Sequence, residues 1–240
     1  MSHFNINIAD VVIEIDTIHV LPYALSRSFS TNEPSVFTIH STQADIDETK
    51  SIFQSVNGLN ASWDGNIEMI VVLRKLAEGL INYNTVVMHG AAIAVNNNAF
   101  LFIADSGVGK TTHVLKWLNR LPDSYIVNGD KPFIRIEHQP FVYGSPWAGK
   151  ENLYTNTKVP LKAIIIMTRN DDNIMNELSF SKAFIDLYKQ VYRPKDTEKM
   201  KKTLSLLKAF DQRVSFYHFK FNNFKDDCFD VAYNTLIAQR

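Results

Sequence analysis

The stretch Ala104-Asp105-Ser106-Gly107-Val108-Gly109-Lys110-Thr111-Thr112 decides how this chain is organised. It matches the phosphate-binding loop pattern G-x-x-x-x-G-K-[ST], with Ala104 in place of the first glycine. An apolar strand candidate at 99–103 precedes the loop, and apolar residues at helical spacing follow it from Val114 to Leu121. The alternative is a glycine-rich turn that matches by chance, but a flanking strand and helix are the context that the motif requires.

The chemistry of such a loop favours bound phosphate. Glycine lets the backbone approach phosphate oxygens closely, and N–H groups at a helix N-terminus present partial positive charge to an anion. The pattern predicts that Lys110 contacts the β- and γ-phosphates and that the Thr111 hydroxyl holds Mg²⁺. We therefore expect ATP, or another nucleoside triphosphate, to be bound by the loop residues Asp105, Ser106, Gly107, Val108, Gly109, Lys110, Thr111 and Thr112.

Composition narrows the class of protein. The 240 residues carry 25 Lys plus Arg and 25 Asp plus Glu, so the balance of charge points to neither nucleic acid nor a membrane surface as a partner. Cys228 is the single cysteine, which excludes a disulfide framework within the chain and suits a reducing compartment. We see no secretory leader at the N-terminus and no apolar run approaching 18 residues. We expect a cytoplasmic protein.

The first third of the chain is predicted to be a separate lobe. Residues 4–23 and 36–40 have β-strand patterns, residues 57–65 are rich in turn formers, and residues 67–80 have helical periodicity. The predicted buried face of that helix consists of Ile70, Leu73, Leu76, Ala77 and Leu80. We therefore expect an antiparallel β lobe plus a helix at 1–80 and a nucleotide-binding core at 81–240, unless the two form one continuous domain.

The chain approaches the loop through a predicted β-hairpin. Strands at 91–95 and 99–103 are separated by asparagines, which tolerate the left-handed conformations of hairpin turns. A turn centred on Asn97 pairs His89 with Asp105, at the edge of the phosphate loop. A second hairpin, 133–136 with 141–143, centred between His138 and Gln139, pairs Asp130 with Trp147. Further along, we predict a strand at 159–168, helices at 179–190 and 195–210, a strand at 214–219 and a helix from 226.

Six stretches together resemble the HPr kinase / phosphoenolpyruvate carboxykinase superfamily, in particular the small HPr-kinase-like proteins of bacteria. They occur in the same order as in those proteins, between about residues 85 and 195, and they are Met88-His89-Gly90-Ala91-Ala92, the loop 104–112, Val127-Asn128-Gly129-Asp130-Lys131-Pro132, Gly144-Ser145-Pro146-Trp147-Ala148-Gly149-Lys150, Val159-Pro160-Leu161-Lys162-Ala163-Ile164 and Val191-Tyr192-Arg193-Pro194.

The resemblance implies a mixed, β-rich α/β fold with a carboxykinase-type P-loop core. It also implies ATP-dependent phosphorylation of a hydroxyl group, with His89 in the active site. The family carries an acidic pair after the loop helix, and here Gly129 stands in the first position while Asp130 keeps the second. The C-terminal HPr-binding signature has no close match, so HPr is not the assumed substrate. Homo-oligomeric assembly, as in the rings of HPr kinases, stays open.

Two residues receive alternative roles. Asp130 is the predicted second Mg²⁺ ligand beside Thr111 and the first candidate for the base that accepts the acceptor's proton, but Asn-Gly-Asp is also turn chemistry in which Asp130 could act as a cap. His89 is the second candidate base, with a purely structural histidine as the alternative. Asp105 could orient His89 or satisfy amides of the loop.

Three residues are predicted to contact the substrate. Lys150 and Arg193 are candidate anion clamps, or simply solvated charges. Trp147 could stack on a base or substrate, or pack in the core. His113 could approach phosphate from the helix that follows the loop, but we expect it at the surface of that helix.

Three functions follow from these patterns. The first is a kinase that phosphorylates a hydroxyl of a peptide, a small protein or a small metabolite. The second is a nucleotide-binding regulatory or scaffold protein with weak turnover, which Gly129 favours. The third is a phosphorolytic or hydrolytic relative.

Overall fold

The computed structural model of the chain describes residues 1–57 and 63–238. The chain divides into two compact units, Met1–Tyr83 and Asn84–Arg240. In the described part of the chain, helices fall short of the length and apolarity that crossing a membrane requires. Both units combine strands and helices, as the mixed α/β prediction states.

The first unit is built on a three-stranded sheet with the order β1-β2-β3. Its elements are β1 (Ser2–Ile8), β2 (Val11–Thr17), α1 (Leu21–Ser26), a 3₁₀ turn (Arg27–Phe29), β3 (Phe37–His40), α2 (Gln43–Asn57), α3 (Asp64–Leu80) and a second 3₁₀ turn (Ile81–Tyr83). Ala9 and Asp10 both have positive φ, 56° and 57°, so a tight two-residue turn joins β1 to β2.

Two predictions for this unit need correction. The lobe is not purely antiparallel, because β3 pairs with β2 in parallel after a connection that contains α1. The strand pattern predicted to continue to residue 23 gives way at Leu21 to α1, which has Pro22 in its first turn, where a missing N–H costs nothing.

The face of α3 also differs from the prediction. Ile70 is 36% exposed, whereas Ile67 and Val71 are buried against Ile46 of α2. The apolar residues of α3 cover more than half of its circumference, so periodicity alone did not fix the buried face. The predicted turn-rich stretch 57–65 lies largely outside the described residues, although Asp64 and Gly65 already belong to α3.

The second unit contains a nine-stranded sheet whose main path has the order β4-β8-β9-β10-β6-β5-β7, with β12 beside β10 and β11 beside β12. Its elements are β4 (Thr85–Val87), β5 (Gly90–Val95), β6 (Asn98–Ile103), α4 (Lys110–Arg120), β7 (Tyr125–Asn128), β8 (Phe133–Ile136), β9 (Pro140–Tyr143), β10 (Lys158–Arg169), β11 (Ile174–Leu178), α5 (Phe180–Gln190), α6 (Thr197–Lys208), β12 (Ser215–Phe221) and α7 (Cys228–Tyr233), followed by a π-helical turn (Asn234–Ala238).

The long strand β10 joins two kinds of pairing. Residues Lys158 to Pro160 pair antiparallel with β9, whereas the strand beyond them runs parallel to β6 and β12. Alternate residues of this sheet enter two cores. One core is packed by Leu187 of α5 and Leu207 of α6. The other is packed by Trp117 of α4 and Phe229 of α7. The sequence analysis missed β11, whose residues are mostly exposed.

The hairpin before the loop has the predicted turn but a different register. Asn96 and Asn97 have φ values of 51° and 59°, and both occupy a two-residue turn. Gly90 pairs with Ile103, which brings His89 level with Ala104 rather than with Asp105. The predicted pairing was wrong by one residue because it placed the turn on one asparagine instead of between two.

The β8–β9 hairpin is likewise one residue from the prediction, since Phe133 pairs with Tyr143. The two ends nevertheless meet. The Lys131 N–H donates to the Trp147 carbonyl at 3.1 Å, and the Ser145 hydroxyl donates to the Lys131 carbonyl at 3.0 Å.

Candidate functional site

The loop between β6 and α4 has the backbone that its glycines predict. Gly107 has φ 76° and Gly109, the residue before the first turn of α4, has φ 119°, a conformation that L side chains rarely adopt. A Cβ atom at Gly109 would also lie 2.6 Å from the Asn223 side chain. The loop therefore turns sharply from the buried end of β6 into α4, with backbone amides at the helix N-terminus.

A cavity of about 390 Å³ lies against this loop. One wall is the loop and the start of α4, formed by Ser106, Gly107, Gly109, Lys110, Thr111 and Thr112. The opposite wall comes from three distant segments and is formed by His89, Gly129, Asp130, Gly149, Lys150 and Glu151. The structure thus brings six of the eight predicted loop residues to one cavity with both candidate bases, whereas Val108 lines a second cavity and the Asp105 side chain accepts from Gln190.

Lys110 is held inside the loop. Its ammonium group donates to the carbonyls of Ala104 at 2.9 Å and Asp105 at 3.2 Å, and the residue is 7% exposed. Burial lowers the pKa of Lys110, and the Asp130 carboxylate nearby opposes that shift. A buried ammonium facing a cavity attracts an anion strongly because little water screens it.

Asp130 is aimed by Asn128, the last residue of β7. The buried Asn128 carboxamide oxygen accepts from the backbone N–H groups of Asp130 at 2.9 Å and Lys131 at 2.7 Å. Asn128 therefore caps this turn, so the Asp130 carboxylate is not consumed as a cap. Oδ1 of Asp130 lies 2.9 Å from the Lys131 ammonium and 3.3 Å from Nε2 of His89.

His89 is oriented by Gln190, the last residue of α5. The backbone N–H of His89 donates to the backbone carbonyl of Gln190 at 2.8 Å. In the side chains, His89 Nδ1 lies 3.0 Å from Gln190 Oε1. The Gln190 Nε2 donates to Asp105 Oδ1 at 3.2 Å. Because that carboxylate accepts from the amide NH₂, Oε1 must accept from His89, which assigns the ring proton to Nδ1 in the neutral form. Asp105 thus reaches His89 through Gln190.

The electrostatics of the pair favour a neutral imidazole. Burial lowers the pKa of His89, and the Lys131 and Lys110 charges lower it further, while Asp130 and Gln190 oppose them. In the neutral ring, Nε2 carries a lone pair and faces the Asp130 carboxylate. Two acceptors that converge in this way can receive a proton from a hydroxyl group.

Neighbouring backbone packs closely around Gly129. A Cβ atom there would lie 3.0 Å from the Ala148 carbonyl and 3.4 Å from that of Leu153. Gly149 is packed equally closely against Asp130, with its own Cβ position 3.0 Å from the Asp130 Cβ and a φ of 80°. A second carboxylate on the cavity wall comes instead from Glu151.

The three residues predicted to contact the substrate lie in different environments. Lys150 is exposed and lines the cavity. Trp147 is 7% exposed and packs edge-on against Phe133, with ring centroids 6.1 Å apart, so it is a core residue. Arg193 is exposed, and its guanidinium lies 5.4 Å from the Tyr188 ring centroid.

Comparison with known proteins gives a distant structural likeness. No protein-family model and no curated protein sequence matches this chain. Among solved structures, the chain is similar to the Hpr(Ser) kinase/phosphatase from Coxiella burnetii, with a TM-score of 0.39 and 10% identity over 62% of this chain and 89% of that chain. A likeness of this degree leaves the activity to be judged from the site itself.

Four residues of the site carry no prediction from sequence, and one of them is Glu151 on the cavity wall. Lys131 pairs with Asp130, Gln190 links His89 to Asp105, and Arg169 holds the loop by donating to the Gly107 carbonyl at 2.6 Å. Arg169 ends the buried run of β10, and a charge at the end of a buried strand is a usable signal. Gln190 offers no such signal, because it joins the site through the packing of α5.

A second cavity of about 560 Å³ also borders the loop. Gly107, Gly109 and Thr112 line both cavities. Its outer wall includes Arg169 and the side chain of Phe224, which is 98% exposed.

Proposed function

We propose that this protein is an ATP-dependent kinase of the HPr-kinase-like type, which transfers the γ-phosphoryl group to a hydroxyl of a peptide, a small protein or a small metabolite. The observation that carries the proposal is the shared cavity, in which the loop with Lys110 faces Asp130 and His89. Phosphoryl transfer needs neutralised phosphate charge and an oriented acceptor, and these two walls supply the corresponding groups.

The donor set suits Mg²⁺. Thr111, Asp130 and Glu151 line one cavity, and their side chains carry the hard oxygen ligands that Mg²⁺ prefers. When bound with the nucleotide, Mg²⁺ would neutralise charge on the phosphate oxygens. Thr111 and Asp130 are the residues that would hold it.

The other steps of the proposed transfer are assigned to residues of the chain. Loop amides and Lys110 bind the phosphates and fix their position. Gln190 keeps the Nδ1 proton of His89 in place, so that Nε2 and Asp130 can take the proton of an acceptor hydroxyl. Lys131, whose ammonium lies 2.9 Å from Asp130 Oδ1, holds that carboxylate in position.

One observation favours a second function, a nucleotide-binding regulatory protein with weak turnover. The site of the first acidic residue of the family pair is filled by Gly129, and a Cβ atom there would fit only tightly against the neighbouring backbone. Under this alternative, the cavity binds nucleotide and transfer to an acceptor stays negligible.

The test is a transfer assay with γ-labelled ATP, Mg²⁺, pools of Ser- and Thr-containing peptides, and small polyols. A kinase labels one class of acceptor, and Asp130→Asn lowers that rate by at least about 100-fold, the scale of a lost general base. The matched control is Asp211→Asn, an exposed carboxylate near the start of β12, which should keep the rate. ATP binding without label in any acceptor would favour the regulatory alternative, and label that is unaffected by Asp130→Asn would overturn the mechanism.

A further inference from the structure

The polar face of the three-stranded sheet in the first unit carries a row of titratable residues. His3 lies directly across from Asp16, and Asp16 lies directly across from His40 on the other side. Directly paired residues have Cβ atoms about 5 Å apart on one face of a sheet. The buried residues Phe4 and Ile15, of opposite parity, face the core, so the row lies on the exposed side.

The side chains of His3, Glu14 and Asp16, in and beside this row, lie close together. His3 Nδ1 lies 2.6 Å from Asp16 Oδ1 and 3.9 Å from Glu14 Oε1. One ligand atom from each of His3, Glu14 and Asp16 lies within 4.8 Å of the other two. A ring nitrogen and two carboxylate oxygens at such spacing can surround one cation with small side-chain rotations.

A separate set of contacts holds the far side of each carboxylate. Asp16 Oδ2 lies 2.7 Å from His40 Nδ1, and Glu14 Oε2 accepts from the Ser35 hydroxyl at 3.3 Å. Each carboxylate thus has one oxygen fixed by a neighbour and the other directed toward His3. Outer partners that orient ligating carboxylates are a general feature of protein metal sites.

We propose that His3, Glu14 and Asp16 form a binding site for one divalent transition-metal ion, with Zn²⁺ as the best-matched ion and with His40 and Ser35 as its supporting residues. Imidazole nitrogen with two carboxylates suits Zn²⁺, whereas Mg²⁺ selects oxygen ligands alone. Two carboxylates balance the ion's charge, and three protein ligands leave a fourth position for water. The site lies wholly within the first unit and is independent of the proposed kinase function.

The experiment is a calorimetric titration of the tag-free full chain with Zn²⁺, and separately with Mg²⁺, in the absence of nucleotide. We expect one Zn²⁺ per chain at this site and no comparable Mg²⁺ binding. Asp130→Asn is titrated in parallel to account for the cavity of the second unit, and it should keep the Zn²⁺ stoichiometry.

Variants locate the ion. His3→Asn and Asp16→Asn should weaken Zn²⁺ binding by at least about 100-fold, and His40→Asn by about 10-fold, the scale of a lost outer partner. His138→Asn, an exposed histidine in the second unit, is the matched control and should bind as the original chain does. Thermal unfolding without metal checks that the variants fold. If the original chain binds no Zn²⁺, or if His3→Asn and Asp16→Asn bind it unchanged, the cluster is only a set of surface ion pairs and the proposal fails.

Discussion

At the scale of single residues, uncharged side chains position the charged ones in the cavity. Asn128 fixes the turn that aims Asp130, and Gln190 fixes the ring of His89 through both of its amide atoms. Neither amide needs to change charge for this, so the positions hold across a wide pH range. The reactive groups face the cavity because their neighbours satisfy the backbone around them.

Replacing Gln190 tests that positioning role. Gln190→Leu removes the acceptor for His89 Nδ1 and the donor to Asp105, so we expect transfer to slow by about 10-fold because the base is misplaced. Nucleotide affinity should change much less than the transfer rate, because Gln190 contacts the loop through the Asp105 side chain and not through its backbone amides. Gln139→Leu in the β8–β9 loop is the control. A drop in melting temperature with an unchanged rate per folded molecule would contradict the role.

The pH profile tests His89. Burial, with the charges of Lys131 and Lys110, lowers the pKa of His89 below its usual 6.5. In the proposed mechanism the neutral ring accepts the proton together with Asp130, so transfer should rise as pH increases through that lowered pKa and be level near pH 7 to 8. His89→Asn should lose this acidic limb along with about 100-fold in rate. The same limb in the variant's kcat/KM profile would assign it to another group.

At the scale of elements, the helix after the loop is anchored by a histidine that the sequence analysis placed at the surface. His113 is fully buried, Nε2 accepts from the Trp117 indole N–H at 2.9 Å, and Nδ1 lies 3.5 Å from Cys228 Sγ. The rings of Phe102 and Phe219 pack around it at 5.0 and 5.2 Å. The prediction failed because a polar residue type was taken as a sign of exposure, although an imidazole with partners for both nitrogens can be buried.

This burial makes α4 sensitive to acid. Burial and then the Lys116 charge lower the pKa of His113 to about 3. Below pH 6.5, His113 takes up a proton in the unfolded chain but not in the folded chain. The free energy of unfolding therefore falls as pH decreases toward 3, by up to about 1.4 kcal/mol per pH unit. His113→Gln keeps an acceptor for Trp117 and removes the titration, so its urea-unfolding free energy should fall less between pH 6.5 and 4.5. Equal slopes would show that another group carries the effect.

The elements divide into those that sequence pattern predicts and those that long-range packing decides. The strand–loop–helix unit and the Asn96–Asn97 hairpin follow from local chemistry, because glycine and asparagine take up the positive φ values required. Both hairpin registers were wrong by one residue, since turn length cannot be read from composition alone. The parallel pairing of β3 depends on tertiary packing and has no local signal.

At the scale of the whole molecule, the second unit assembles its cavity from segments far apart in the chain. The motifs predicted that the loop, Asp130 and His89 belong together, and the structure brings them to one cavity. The motifs could not predict that Gln190 contacts His89, because the two residues lie 101 positions apart in the chain. Nor could they tell that Trp147 packs inward while Lys150, three residues later, lines the cavity.

The central claim is that this cavity holds the triphosphate of a nucleotide, and calorimetric titration with a non-hydrolysable ATP analogue and Mg²⁺ tests it most directly. We expect one site per chain and a loss of affinity of about 10- to 100-fold in Lys110→Ala, the scale of a lost charge-assisted contact. The exposed-lysine control Lys208→Ala should bind as the original chain does. Absence of binding, or equal affinity in Lys110→Ala, would contradict the claim.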